Sequence, residues 1–258
     1  MAELKIYKIG GGIIDDDTHL SDFLQDFSQI RSKKILIHGG GKGASALLKK
    51  LGIEPKMIDG RRITDKPTLD VVTALYAGLL NKKIVSLLQK YDENAIGLSG
   101  ADGNLIQAVQ RPVKEIDYGF VGDVEKKNIN ISLLDLLLKN GYTPVLCAIT
   151  HDKNGQLLNT NADTIASTVA EAAADFYDTE LHFCFDKIGV LRDINDENSL
   201  IPRINHSDYE TLKVEKIVAD GMIPKLDNAF RVICSGVKKV VLEHASNINN
   251  DTKTIITD

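Results

Sequence analysis

Short runs of consecutive apolar residues alternate along this chain with longer segments whose apolar positions recur every three or four residues. That is the pattern of βαβ units around a largely parallel sheet covered on both faces. Residues 4–9 are the first strand expected and 34–38 the second; between them, 18–30 places Leu20, Phe23, Leu24, Phe27 and Ile30 on one helical face. Helices are expected over 43–51 and 68–91, the latter opened by Asp65 and Pro67. Residues 95–98 and 105–109 read as short strands, followed by a polar, Gly-containing hairpin at 117–122. A helix over 131–140 closes at Gly141, a buried strand covers 143–149, and an Ala-rich helix covers 162–174. A strand at 180–185, a helix over 224–235 with Pro at its first turn, and a strand at 237–242 complete the pattern. No solenoid-period repeat, low-complexity tract or Pro/Ser-rich linker interrupts it, so two lobes would share one sheet, with the least compact join near 174–178.

The 258 residues suffice for one large domain or two packed lobes, and 43% hydrophobic with 26% charged residues exclude disorder, collagen and coiled coil. A net charge of -5 repels nucleic acid and anionic membranes, so an anionic ligand must be held locally. The absence of Trp and only 5% aromatic residues argue against a base-stacking platform. Cys147 and Cys184 lie in apolar runs and Cys234 far from both, which suits reduced thiols better than a disulfide scaffold or zinc site. No signal pattern opens the chain and no window approaches the ~18 apolar residues of a membrane span. A soluble, cytoplasmic protein is expected.

Two glycine triplets are the sharpest local features. The first strand ends in Lys8-Ile9-Gly10-Gly11-Gly12 and the second in His38-Gly39-Gly40-Gly41. Glycines after a strand let the backbone turn tightly and present free N–H groups to an anion, and a following helix adds its positive end. In a parallel sheet both lie at the carboxyl ends of strands, where open α/β folds bind ligands. No Walker-type G-x-x-x-x-G-K-[ST] is present. Residues 39–44 do fit G-x-G-x-x-G/A, with Asp59 twenty residues on, which leaves a dinucleotide-dependent oxidoreductase as a rival reading. Further on, Asn159, Asn161 and Asp163 alternate ahead of the Ala-rich helix, either as a cap or as a grip on a polar substrate. Lys225, following Asp220-Gly221, sits in the first turn of a helix whose dipole it opposes, which calls for an anion at that end or for a solvated surface position. Gly60-Arg61-Arg62-Ile63-Thr64 sets a guanidinium after a glycine turn, which suits bidentate capture of a carboxylate or a merely solvated loop position.

Taken together, KIGG (8–11), HGGGK (38–42), DGRRIT (59–64), GLSGADGNLI (97–106), GFVGDV (119–124), GQLLNTNADTIA (155–166) and DGMIPK (220–225) resemble the amino acid kinase family, in that family's order and over nearly the whole chain. The resemblance implies a three-layer αβα sandwich with a mainly parallel open sheet. Residues 1–174 would form an N-terminal lobe for acyl-amino-acid binding and dimerisation, and 175–258 a C-terminal lobe for the nucleotide. It implies that Lys8 and Lys225 bind the phosphoryl group, that Asp163 positions them, and that Gly10, Gly11, Gly40 and Gly41 donate backbone N–H groups to it. Arg62 and Asn159 would grip the amino acid, Asn161 would be a neighbouring contact, and Asp186 would meet the nucleotide. The implied activity is ATP-dependent phosphorylation of the side-chain carboxylate of N-acetyl-L-glutamate, in arginine biosynthesis. ATP would act with Mg²⁺ held mainly by its phosphates, and no protein metal site is implied. N-succinyl-glutamate and related acylated amino acids remain open as acceptors, as does a non-catalytic sensor on the same fold.

Three departures accompany the resemblance: the third glycine, Gly12; a tail lacking the glycine-threonine ending, which leaves the last strand unassigned; and a first strand starting almost at Met1. The last leads us to expect a homodimer insensitive to arginine. A carboxylate acceptor, with an intrinsic pKa near ~4.3, is already ionised at neutral pH and needs no general base. His38 then reads as a structural strand-end residue.

Overall fold

The computed structural model describes residues 1–58, 61–193, 195–215, 217–218 and 222–258. The chain begins with β1 (Glu3–Ile9), a single turn α1 (Gly11–Ile14), α2 (Asp17–Ser28), β2 (Lys33–His38) and α3 (Gly41–Lys50). The two-residue strands β3 (Met57–Ile58) and β4 (Arg61–Arg62) lead into α4 (Lys66–Thr73), which continues through π-helical Ala74–Leu80 into α5 (Asn81–Lys90). Next come β5 (Ala95–Leu98), β6 (Val109–Gln110), β7 (Gly122–Asp123), α6 (Ile131–Lys139), β8 (Thr143–Cys147), β9 (Ile149–His151), β10 (Leu157–Asn159) and α7 (Ala162–Ala173). The last part holds β11 (Asp178–Phe185), β12 (Arg203–Ile204), α8 (His206–Val214), α9 (Ile223–Cys234), β13 (Lys239–His244) and β14 (Lys253–Ile256).

One sheet dominates, in the order β12-β14-β13-β11-β1-β2-β8-β5. Its pairings are parallel except β13 with β14. β1 is central because it is apolar on both faces. Leu4 and Ile6 join a core with α6, α7 and α9 on one side, while Tyr7 and Ile9 join a second core with α2 and α5 on the other. The molecule is therefore three layers, helices over sheet over helices. In register, Ile6 lies between Leu181 of β11 and Ile35 of β2. β1 thus joins the strands of the chain's first part to those of its last without a break. It is also where the strand order reverses, the place open parallel sheets offer a ligand crevice.

Most expected elements form within a few residues of their predicted bounds. The strand expected at 105–109 does not. A 3₁₀ turn at Asp102–Asn104, with Gly103 at φ 58° and Asn104 at φ 52°, bends the chain there. Ile106 and Gln107 make only isolated bridges, to Ile129 and His151, and Val109–Gln110 pair with Gly122–Asp123 in the expected hairpin. The strand expected over 143–149 ends at Cys147, and Ile149–His151 peel off to pair with β10. The tail left unassigned by the pattern forms β14, and α8 is an element the pattern did not signal. One helix, Lys66–Lys90, is long and apolar enough to cross a membrane, where the composition led us to expect none. Its α5 part packs against β5, β8 and α2, burying Ile84 and Leu88, so it serves as a core helix.

Candidate active site

The glycine triplets end neighbouring strands, as expected, and two adjoining cavities open beside them. The first is lined by Gly39, Gly40, Arg62, Tyr76, Asn159 and Thr160, with Met57, Val121, Ala148 and Ala162 as its apolar wall. The second is lined by Lys8, Asp163, Lys225, Phe183, Phe185 and Asn228, with Cys184 and Leu242 at its floor. Both lie at the carboxyl ends of the parallel strands. Arg61 and Asn161 line both.

Lys8, the penultimate residue of β1, reaches Asp163 Oδ1 with Nζ at 2.7 Å. Asp163 stands in the first turn of α7, where a carboxylate complements the positive helix end. Lys225 comes from the first turn of α9, with Pro224 beside it, and its Nζ lies 4.7 Å from the centre of the Phe185 ring. The ring face stabilises the ammonium without neutralising it. The ammoniums of Lys8 and Lys225, from opposite ends of the chain, thus line one cavity.

In the first cavity, Arg62 is buried; Nη2 donates to Ser45 Oγ at 2.9 Å, while Nη1 has no hydrogen-bond partner among the described residues. A buried guanidinium nitrogen left unpaired is costly unless an anion completes it. Asn159 is held by its amide, which donates to Thr64 Oγ1 at 3.0 Å, and Thr64 Oγ1 donates to Arg62 O at 3.0 Å. Gly40 must be glycine, since a Cβ there would fall 1.5 Å from the Tyr76 ring.

Two features stiffen the glycine walls. Asp15, just after α1, accepts from Lys42 N at 2.9 Å and Gly43 N at 3.1 Å, capping α3 from the neighbouring loop. His38 is fully buried: Nδ1 donates to Gly39 O at 2.9 Å and Nε2 accepts from Asn81 Nδ2 at 3.1 Å. Burial pushes its pKa down to about 4, so the ring is neutral. His38 is structural, as the sequence suggested.

Of the residues singled out in the sequence, Lys8, Asp163, Lys225, Arg62, Asn159, Asn161 and Gly40 line the two cavities. Gly10 lines neither cavity, though a Cβ there would stand 3.8 Å from Lys8 Nζ, and Gly11 opens α1 as Gly41 opens α3. Asp186 stands exposed just past β11 and lines neither cavity. Among the described residues, Asp163 pairs with Lys8 and not with Lys225. Asn161 is the cap of α7, its Oδ1 accepting from Asp163 N at 2.8 Å and Thr164 N at 3.1 Å, so the cap reading of this residue holds while it also lines both cavities. Asp59, Gly60, Asp220 and Gly221 lie outside the described residues. Sequence reasoning missed Tyr76, Ser45 and Phe185; only the last carried a signal, as the aromatic residue beside Asp186 at a strand's carboxyl end.

The dinucleotide reading needs a free N-terminus on α3 for a pyrophosphate. Asp15 already occupies it. The model of the amino acid kinase family matches residues 3–244. This chain belongs to that family. Among its relatives is the acetylglutamate kinase of Phocaeicola vulgatus, 51% identical over 254 residues and covering 98% of each chain. The acetylglutamate kinase of Methanopyrus kandleri is 36% identical over 258 residues, covering 98% of this chain and 100% of its own. In fold, this amino acid kinase is similar to N-acetylglutamate synthase from Neisseria gonorrhoeae complexed with coenzyme A and N-acetyl-glutamate. There the TM-score is 0.82 at 18% identity, over 100% of this chain and 59% of that one. The chain is a phosphotransferase, and its paired cavities suit a reaction between an anionic donor and an anionic acceptor.

Proposed function

We propose that this kinase transfers the γ-phosphoryl group of ATP to the side-chain carboxylate of N-acetyl-L-glutamate, yielding an acyl phosphate and ADP in arginine biosynthesis. The observation that carries the reading is the convergence of Lys8 and Lys225 on one cavity that adjoins the buried, incompletely bonded Arg62. In this reading Arg62 binds the α-carboxylate as a fork and Asn159 fixes the amino-acid end. The acceptor carboxylate then lies between Gly40 and the second cavity. Lys8, Lys225 and the N–H groups of Gly10, Gly11, Gly40 and Gly41 surround the migrating phosphoryl group, and Asp186 flanks the nucleotide. Charge stabilisation and in-line placement are the whole task, since a carboxylate nucleophile arrives ionised. Among the described residues Asp163, held by Lys8, is the cavity's one carboxylate, and no cluster of three metal-ligating side chains occurs. In this reading magnesium enters with ATP, as part of the substrate.

We assign residues 1–174 to acceptor binding and 175–258 to nucleotide binding, and we read the enzyme as a cytoplasmic homodimer. The Lys66–Lys90 helix, with Leu79 exposed to 66%, supplies an apolar face for a second copy. The test of function is ADP release coupled to NADH oxidation, with N-acetyl- and N-succinyl-glutamate compared at matched concentrations. Turnover with the acetyl substrate is expected. Absence of turnover with either sinks the reading, and a strong preference for the succinyl compound reassigns the acyl group.

A further inference from the structure

Arg61 and Arg62 are successive residues of a two-residue strand, and both reach the first cavity. Arg62 turns into the first cavity and is buried there. Arg61 lines the first cavity and the second, a property it shares only with Asn161 among the residues lining them. The Oδ1 of Asn161 is committed to capping α7. Among the described residues, Arg61 is therefore the one charged side chain on the wall common to the acceptor and nucleotide chambers.

The charges beside it give that position a consequence. Lys8 is neutralised by Asp163 at 2.7 Å, and Lys225 has an aromatic face rather than a carboxylate against it among the described residues. Without Arg61 the second cavity carries a formal charge of about +1, from Lys8, Asp163 and Lys225. A magnesium-bound triphosphate and a dicarboxylate acceptor bring far more negative charge to the same place, and their mutual repulsion is the main barrier to in-line transfer.

We propose that Arg61 is a catalytic residue that contacts the transferring phosphoryl group at the seam between the two cavities, acting as an arginine clamp supplied within the same chain. The inference rests on the proposed kinase reaction. In that reaction a carboxylate oxygen forms a bond to the γ-phosphorus, the bond from that phosphorus to the β–γ bridging oxygen breaks, and the electron pair stays on ADP. No proton moves. The guanidinium donates to the equatorial oxygens while both bonds are partial, so it stabilises the transition state more than either bound substrate. An arginine seated on the acceptor alone would have no reason to line the nucleotide cavity.

The experiment compares wild type, Arg61→Ala and Arg61→Lys by steady-state kinetics, with circular dichroism confirming the fold. Arg61→Ala is expected to lower kcat about 10²-fold while changing the KM for ATP and for the acylated glutamate less than about threefold. Added guanidinium ion is expected to restore part of the lost turnover, and Arg61→Lys to recover less than the arginine provides because a point ammonium cannot span two oxygens. An unchanged kcat, or a loss confined to the KM of the acceptor, overturns the proposal. A greater loss with N-succinyl- than with N-acetyl-glutamate also overturns it, by placing Arg61 on the acyl chain. An inactive wild type sinks the underlying kinase reading instead.

Discussion

Lys8 and Lys225 show how one residue type takes two characters in one cavity. Lys8 is mostly shielded, with 17% of its side chain exposed, and is locked to Asp163, whereas Lys225 rests on a ring face. Replacing either by alanine should lower kcat by about 10²-fold or more with the fold intact, the usual loss on removing one preorganised charge donor; a folded variant with near-normal turnover contradicts the assignment. His38 acts on stability instead. Its folded-state pKa of about 4 lies below the ordinary ~6.5, so between those values the unfolded chain takes up the proton that the buried ring refuses. Stability from this site is complete above about pH 6.5 and drains away as pH falls toward 4. Urea midpoints at pH 7.5 and 5.0 should differ more in wild type than in His38→Gln, and equal differences would show that the histidine does not set the slope. That Lys8, Asp163 and Lys225 deserve notice was legible in the sequence, the lysines beside glycine turns and Asp163 in a run of polar residues ahead of a helix, and the three line one cavity. Tyr76 and Ser45 were not legible, since nothing in a helical segment marks which residue the chain will later fold against.

At the level of elements, the two-residue strands and the hairpin arms explain what periodicity could and could not deliver. The core strands and helices announce themselves by runs and repeats, and they were placed within a few residues. β9 and β10 are too short for alternation to register, yet they deliver Asn159 to the first cavity through pairing of Asn159 with Ile149. The strand expected at 105–109 failed because left-handed backbone at Gly103 and Asn104 turns the chain before a ladder can form. α7 starts at a residue with two duties, and the cap can be measured apart from the chemistry. Asn161→Ala should cost about 1 kcal/mol of stability, or roughly 2–4 °C in Tm, and Asn161→Asp should return most of it. If the alanine variant melts with wild type, Asn161 does not hold the helix.

For the whole molecule, the decisive fact is that all of β1 pairs with β11, from Glu3 opposite Asp178 to Ile9 opposite Cys184. The part of the chain assigned to the acceptor and the part assigned to the nucleotide are therefore sewn along the middle of one sheet. Heat should unfold them in a single transition, with far-ultraviolet circular dichroism and tyrosine fluorescence giving coincident midpoints. Two separated midpoints would mean that the lobes are independent in stability. The fold class was readable because alternation of apolar runs with helix-period segments is a property of the entire chain. The sheet's outer edge was not, because β14 and β12 are short and attach to the rest of the sheet through the antiparallel pairing of β14 with β13.

The carboxylate of Asp15 reaches from the end of the first glycine turn to the amides of Lys42 and Gly43 at the start of α3. The two turns are consequently fastened to each other rather than merely adjacent, so a shift of one drags its neighbour along.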